Sequence, residues 1–292
     1  MTGDRLEELL RTLLYEGYAL YPYTPGAAKN ATPTPFGIAY PPAYAAAVPT
    51  AHDRLRLCGV VRCDGPATVA ADVRLLVATP DGPAHAAGEH RLELGPLPLD
   101  ADAALHTDRR LAAGAVRGRL RLRAEPAGDG LARVAICVKN ETPCAADADR
   151  ATALRAALLS THPLLRVTGG RFVSPLERAG AAGAAVTAAA SVNTFPVLAT
   201  DEDDVLLGAA VVLPEHPELA PESRGDLFDG TEIEEALLLH VLALSGPERD
   251  AITRQDPAVQ AMIERSSAAT PAELLALHGR TVLRDPAVEG SP

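Results

Sequence analysis

The stretch RLRLCGVVRCDGPATVAADVRLLVA, Arg54 to Ala78, alternates apolar and polar side chains at both ends and carries the turn-forming cluster CDGP, Cys63 to Pro66, between them. A period of two is the mark of a strand with one buried face. The stretch therefore predicts two strands, RLRLCGVVR (Arg54–Arg62) and ADVRLLVA (Ala71–Ala78), joined by a turn. The same alternation returns in HRLEL (His90–Leu94), RGRLRLRA (Arg117–Ala124) and LARVAICVKN (Leu131–Asn140), separated by TPDGPAHAAG and AEPAGDG. Five or more short antiparallel strands with polar outer faces fit a β-sandwich. The polar positions are arginine-rich: Arg54, Arg56, Arg62, Arg117, Arg119, Arg121 and Arg123. Such a row reads first as a solvated face with carboxylate neighbours, and second as an anion-binding platform.

Working outward, the chain before these strands changes character twice. Asp4 with Glu7 matches a capping box, and Leu6, Leu9, Leu10, Leu13 and Leu14 recur at helical spacing up to Gly17, which predicts an amphipathic helix. The following YALYPYTPGAAKNATPTPFGIAYPPAY holds too many prolines for a helix or a central strand and reads as an extended arm. All six tyrosines lie in the helix and arm. They either fasten an irregular segment to the body or, with Tyr21, Tyr23, Lys29 and Asn30, line a binding surface.

After the strands, Asp147 or Asp149 can cap a helix through RATALRAALLS that ends near Pro163. RVTGGRFVS, NTFPVLAT and DDVLLGAAVVL read as strands, the last buried on both faces, with Thr168–Gly170 as a turn. The alanine-rich 174–192 segment is ambiguous between helix and coil. Capping boxes at Thr231/Glu234, Ser245/Glu248 and Thr270/Glu273 mark a tail of four short helices, about 232–244, 247–254, 257–266 and 271–278. The expected architecture is α+β. Its parts are an N-terminal helix and Tyr/Pro-rich arm (1–50), an antiparallel β-sandwich (51–145), a mixed α/β segment completing the body (146–230) and a C-terminal helical cluster (231–292).

A chain of 292 residues with 47% hydrophobic content can fill such a core. The net charge of −11 argues against nucleic acid and anionic membranes as partners. The acidic MTGDRLEELL start lacks the features of a signal peptide, and Val205–Leu213 is far too short for a membrane span, so a cytoplasmic location is expected. Cys58 and Cys63, and Cys137 and Cys144, stand at odd separations that place the thiols of a strand pair on opposite faces. They read as reduced structural thiols.

Candidate chemistry concentrates in PELAPESRGDLFDGTEIEEALLLHVLAL, residues 217–244. Thr231 as cap explains Glu232, Glu234 and Glu235 as first-turn acids that complement the helix dipole. Glu215, Glu218, Glu222, Asp226 and Asp229 exceed what a helix start needs. Glu222, Arg224, Asp226, Asp229 and Glu232 are therefore expected to join the tyrosine arm in a partner-binding surface. The alternative is a divalent metal site built from Glu222, Asp226 and Asp229 with His216 or His240, since hard cations take several oxygens from a flexible loop. The EF-hand ligand pattern is absent. His240 lies on the apolar stripe Ile233, Ala236, Leu237, Val241, Leu244, where a neutral core histidine is the simpler reading. No HExxH, GxSxG, GxGxxG or GxxxxGK[ST] motif occurs. The cofactor is unknown; a divalent metal is the one candidate, and none is the simpler expectation.

Three stretches together, YEGYALYPYTPGAAKN (Tyr15–Asn30), KNETP (Lys139–Pro143) followed by LLSTHPLL (Leu158–Leu165), and APESRGDLFDGTEIEEALLLHVLAL (Ala220–Leu244) with a terminal LLALHG, resemble an uncharacterised, mainly actinobacterial family associated with nickel-iron hydrogenase gene clusters. In that family the arm carries basic residues where this chain has TPGAA, so part of any anion-binding charge is missing here. The resemblance implies a noncatalytic accessory or assembly role toward a protein partner, a hydrogenase subunit or maturation factor.

Overall fold

The computed structural model describes residues 3–19, 37–79 and 87–218, together with Glu264. Twelve elements follow in the order α1 (Gly3–Ala19), α2 (Pro42–Ala47), β1 (Arg54–Ala78), β2 (Ala87–Leu99), β3 (Leu105–Ala113), β4 (Val116–Gly128), β5 (Leu131–Asn140), α3 (Arg150–Arg155), β6 (Leu159–Val173), α4 (Gly180–Ala188), β7 (Phe195–Leu198) and β8 (Val205–Ala209). The class is α+β and mostly antiparallel sheet. Eight strands join in one open sheet of order β3-β4-β5-β1-β6-β8-β7, with β2 also paired to β1.

The expected sandwich is not delineated, because the two strands read around CDGP are a single strand. β1 runs 25 residues through Asp64–Pro66, pairing β5 along Arg54–Arg62 and β2 along Ala67–Ala78. β6 follows both halves, with a register shift between Cys63 and Thr68. Thr168–Gly170, expected to be a turn, lies inside β6 opposite that irregularity. Bare glycines are required there: a Cβ on Gly169, whose φ is +78°, would strike the Pro66 carbonyl, and one on Gly170 would lie 2.6 Å from the Arg62 carbonyl oxygen. A turn-forming cluster has become a bulge in a long bent strand.

One buried cluster unites the two halves. Leu55, Leu57 and Val61 of β1's first half join Val69, Val73 and Leu75 of its second, with Leu120, Leu122, Val134, Ile136, Val138, Leu165 and Phe172. The same sheet face turns inward throughout. On the opposite face of the second half, α1 lays Leu6, Leu9, Leu10 and Leu13 over Leu164, Val197, Val205 and Leu207. The heptad-like leucines read from sequence thus cover the outer side of β6, β8 and β7, and β8 is buried along its whole length.

Two further expectations change. The helix predicted through RATALRAALLS stops at Arg155, with Asp149 accepting a hydrogen bond from Thr152 N as its cap. LeuLeuSerThrHisPro then belongs largely to β6, which passes through Pro163. LHTDRRLAA forms the unanticipated edge strand β3. The ambiguous alanine-rich segment contains α4. The expected C-terminal helical cluster falls outside the described residues, save for Glu264, which is helical. Among the described residues no helix is long and apolar enough to cross a membrane.

Candidate functional site

Tyr21, Tyr23, Lys29, Asn30, Glu222, Arg224, Asp226, Asp229, Glu232 and His240 all lie outside the described residues. Neighbours of these groups are described, and they are engaged within the fold. Glu215 accepts a 2.5 Å hydrogen bond from Ser174 Oγ, and His216 Nε2 lies 2.9 Å from Asp203 Oδ1. Glu218 sits 3.6 Å from Arg5 on the exposed surface. Among the described residues no group of three or more His, Cys, Asp or Glu side chains is placed to hold a metal ion. At the other end of the arm, Tyr40 and Tyr44 stack with ring centroids 5.0 Å apart and are buried, so these two tyrosines fasten the chain to the body.

Strand registry assembles a different site. Across β1, β5 and β4 the rows are Arg54, Lys139, Arg119; then Arg56, Cys137, Arg121; then Cys58, Ala135, Arg123. Because Leu55, Leu57, Leu120, Leu122, Ile136 and Val138 point into the core, pleating sends every member of these rows to the outer face. The result is a depression of about 510 Å³, lined by Arg54, Arg56, Arg119, Arg121, Arg123, Arg133 and Lys139, with Glu125 as its one acid. Its floor is made of the short side chains Cys58, Ala135 and Cys137, and α4 closes one side with Ala188 and the following Ala190.

Carboxylates from the rim orient these cations. Asp108 on β3 lies 2.8 Å from Arg121 Nε and 3.4 Å from Arg119 Nη1, while Glu141 reaches Arg119 Nε at 3.1 Å. The Arg121 hydrogen bond, with Arg119 behind it, holds Asp108 below the usual carboxylate range. Glu125 pairs with Arg133 at 2.6 Å, and Asp53 is shared by Arg54 at 2.9 Å and Lys139 at 3.6 Å. Arg56 donates through Nε and Nη2 to the Ala190 carbonyl at 3.1 and 2.8 Å. Of the seven arginines in the row, Arg54, Arg119 and Arg121 have the expected carboxylate neighbours. Among the described residues, seven cations lining the depression are nonetheless met by only four carboxylates, Asp53, Asp108, Glu125 and Glu141, and the exposed Arg123 has no ion pair.

The two cysteines in the floor come from different strands. Cys63 turns to the core side and Cys58 to the outer face, as the odd spacing requires. It is Cys58 and Cys137, far apart in sequence, that share a face; both are free thiols. Burial pushes each thiol up despite the surrounding arginines. Thiolate is the reactive form, so iodoacetamide at pH 8 is expected to label both at least about tenfold more slowly than free cysteine. Time-resolved intact mass of the native protein measures this.

A second polar cluster lies under α1. Arg74, buried on β1, donates through Nη2 to both Glu7 oxygens at 2.8 and 2.6 Å and lies 3.4 Å from Asp72 and from Glu89. Asp72 is buried and 2.8 Å from Arg91, yet desolvation outweighs both cations and pushes its carboxyl above the usual range. This network ties α1 to the sheet, and its groups are occupied with one another. No family model and no curated protein matches the chain.

Proposed function

We propose that the protein is a noncatalytic accessory protein that binds a protein partner, and that the outer face of β1, β5 and β4 receives an acidic surface of that partner. The observation that carries this reading is the convergence of seven cationic side chains on one depression in a chain whose net charge is −11. Such a local reversal of sign steers an anionic surface to one place and repels the rest of the molecule from it. The resemblance of three sequence stretches to a hydrogenase-associated family extends the reading to an assembly role, with a hydrogenase subunit or maturation factor as the partner it implies.

Charge reversal tests the surface. The triple variant Arg119→Glu, Arg121→Glu, Arg123→Glu changes only outward positions of β4 and sets new acids beside Asp108 and Glu141, so a modest fall in melting temperature is expected with the native circular-dichroism spectrum kept. In affinity capture from native lysate, specific proteins retained by the native chain are expected to fall at least about tenfold with the variant. Capture of the same set by both proteins, or of nothing specific by the native one, overturns the reading.

A further inference from the structure

We propose that the partner is held as an extended acidic peptide segment lying along β5, the acids at every second position all facing the sheet and meeting the guanidiniums that rise from β4 and β1. The inference rests on the partner-binding reading above and supplies its recognition chemistry. Three observations carry it.

The first is spacing. Arg119, Arg121 and Arg123 occupy alternate positions of β4, so their Cα atoms recur at about 7 Å. An extended peptide presents same-side residues at the same repeat, and an acid at every second position can meet a guanidinium each time. The second is cross-section. β5 contributes only Ala135 and Cys137 to the floor between Arg133 and Lys139, while the arginines rise from the strands on either side. Those flanking strands stand about 10 Å apart, room for one extended chain but not for an α-helix about 10–12 Å across. The run from Arg133 to Lys139 is about 20 Å long, which suits roughly seven residues.

The third is the electrostatic balance. The rim carboxylates leave the cations in surplus and Arg123 without an ion pair among the described residues. Exposed ion pairs such as Arg121 with Asp108 are weak, so an incoming carboxylate can share or replace them at little cost. Single-stranded nucleic acid carries a similar charge repeat, but it binds through bases stacked on aromatic rings, and among the described residues no aromatic side chain lines this depression.

The test uses the full chain and terminally blocked, fluorescein-labelled peptides of about seven residues. In one, Glu alternates with Thr; its isomer has the same composition with the Glu residues contiguous. A thymidine oligomer and inorganic phosphate complete the set. By fluorescence anisotropy at low salt, the alternating peptide is expected to bind at least about tenfold tighter than its isomer, and Arg123→Glu should remove most of that preference. Equal affinity for the two isomers overturns the extended register and leaves the partner-binding reading standing. Displacement by millimolar phosphate as effectively as by unlabelled peptide reduces the face to a simple anion site and overturns the inference. Tighter binding of the thymidine oligomer overturns both this inference and the reading beneath it. If no probe binds while the triple variant still abolishes capture, the inference fails and the reading survives.

Discussion

Asn140→Asp should lower the stability of the protein by about 3–5 kcal/mol at pH 7, the largest effect expected of any single polar substitution in the body. Asn140 ends β5 with its side chain fully buried. Its Nδ2 donates to the carbonyls of Ala39 and Ala156 at 2.9 and 2.8 Å, and its Oδ1 accepts from Thr142 N at 2.8 Å. Three separate segments meet on this one amide: the end of the tyrosine arm, the close of α3 and the turn leaving β5. The Ala39 carbonyl also accepts from Leu158 N, so the arm is stitched to the start of β6 at the same point. An aspartate keeps the shape and the acceptor but turns two donated bonds into a carboxylate facing two carbonyl oxygens. The partners of Asn140 among the described residues are all backbone groups, so the charge would be buried with no cation bonded to it. Urea unfolding followed by circular dichroism measures the loss. It should shrink at lower pH, where a protonated carboxyl regains one donor. A loss below about 1 kcal/mol would show that the amide does not bridge these segments.

Asn140 also marks where the sequence was legible and where it was not. Alternation announced β4 and β5 because one face of each is apolar and the other charged, and the leucine stripe announced α1 for the same reason. What failed was punctuation. CDGP was read as a turn because such residues usually close hairpins, yet β6 supplies a continuous partner on one edge and tolerates the insertion as a bulge. Pro163 reads as a helix end in LLSTHPLL because the residue before a proline avoids helix; long-range pairing with Ala71–Arg74 and Leu76 makes the segment sheet. β3 was missed because LHTDRRLAA buries only its last residues, as an edge strand can. The arginines were visible one by one, but their convergence with Lys139, Arg133 and Cys137 depends on register, which no local pattern encodes.

His162 supplies the second large effect, a loss of stability on mild acidification. The ring sits in β6 beneath α1 with no exposed surface. Nδ1 lies 3.3 Å from the Gly208 carbonyl, to which it can only donate, so the neutral ring keeps its proton there and presents Nε2 to Ser160 Oγ at 3.4 Å. Ser160 Oγ gives its single proton to the Leu13 carbonyl at 3.3 Å, which brings the end of α1's leucine stripe beside the ring and leaves Nε2 without that donor. Its neighbour across the β1 ladder is the cation Arg74. Desolvation therefore dominates, and the pKa falls from 6.5 to about 4 even though backbone hydrogen bonds act to raise it.

The sign follows from proton counting. Between about pH 6.5 and 4 the unfolded chain binds a proton at His162 and the folded chain does not, so acidification favours unfolding through that window and has no further effect at this site below it. The loss at the bottom of the window is about 3 kcal/mol. Asp72 acts in the opposite sense, because its raised folded-state carboxyl is relieved by protonation as pH falls. Comparison of the native protein with His162→Gln, which keeps an amide donor for Gly208 and does not titrate, holds the Asp72 contribution constant. Unfolding free energies from urea titrations at pH 7, 5.5 and 4.5 should converge between the two proteins as pH falls, starting from a less stable variant at pH 7. Parallel pH profiles would mean that the folded and unfolded chains take up the His162 proton alike, so that α1 does not shield the ring from water; profiles that diverge as pH falls would mean that the folded protein holds the ring protonated.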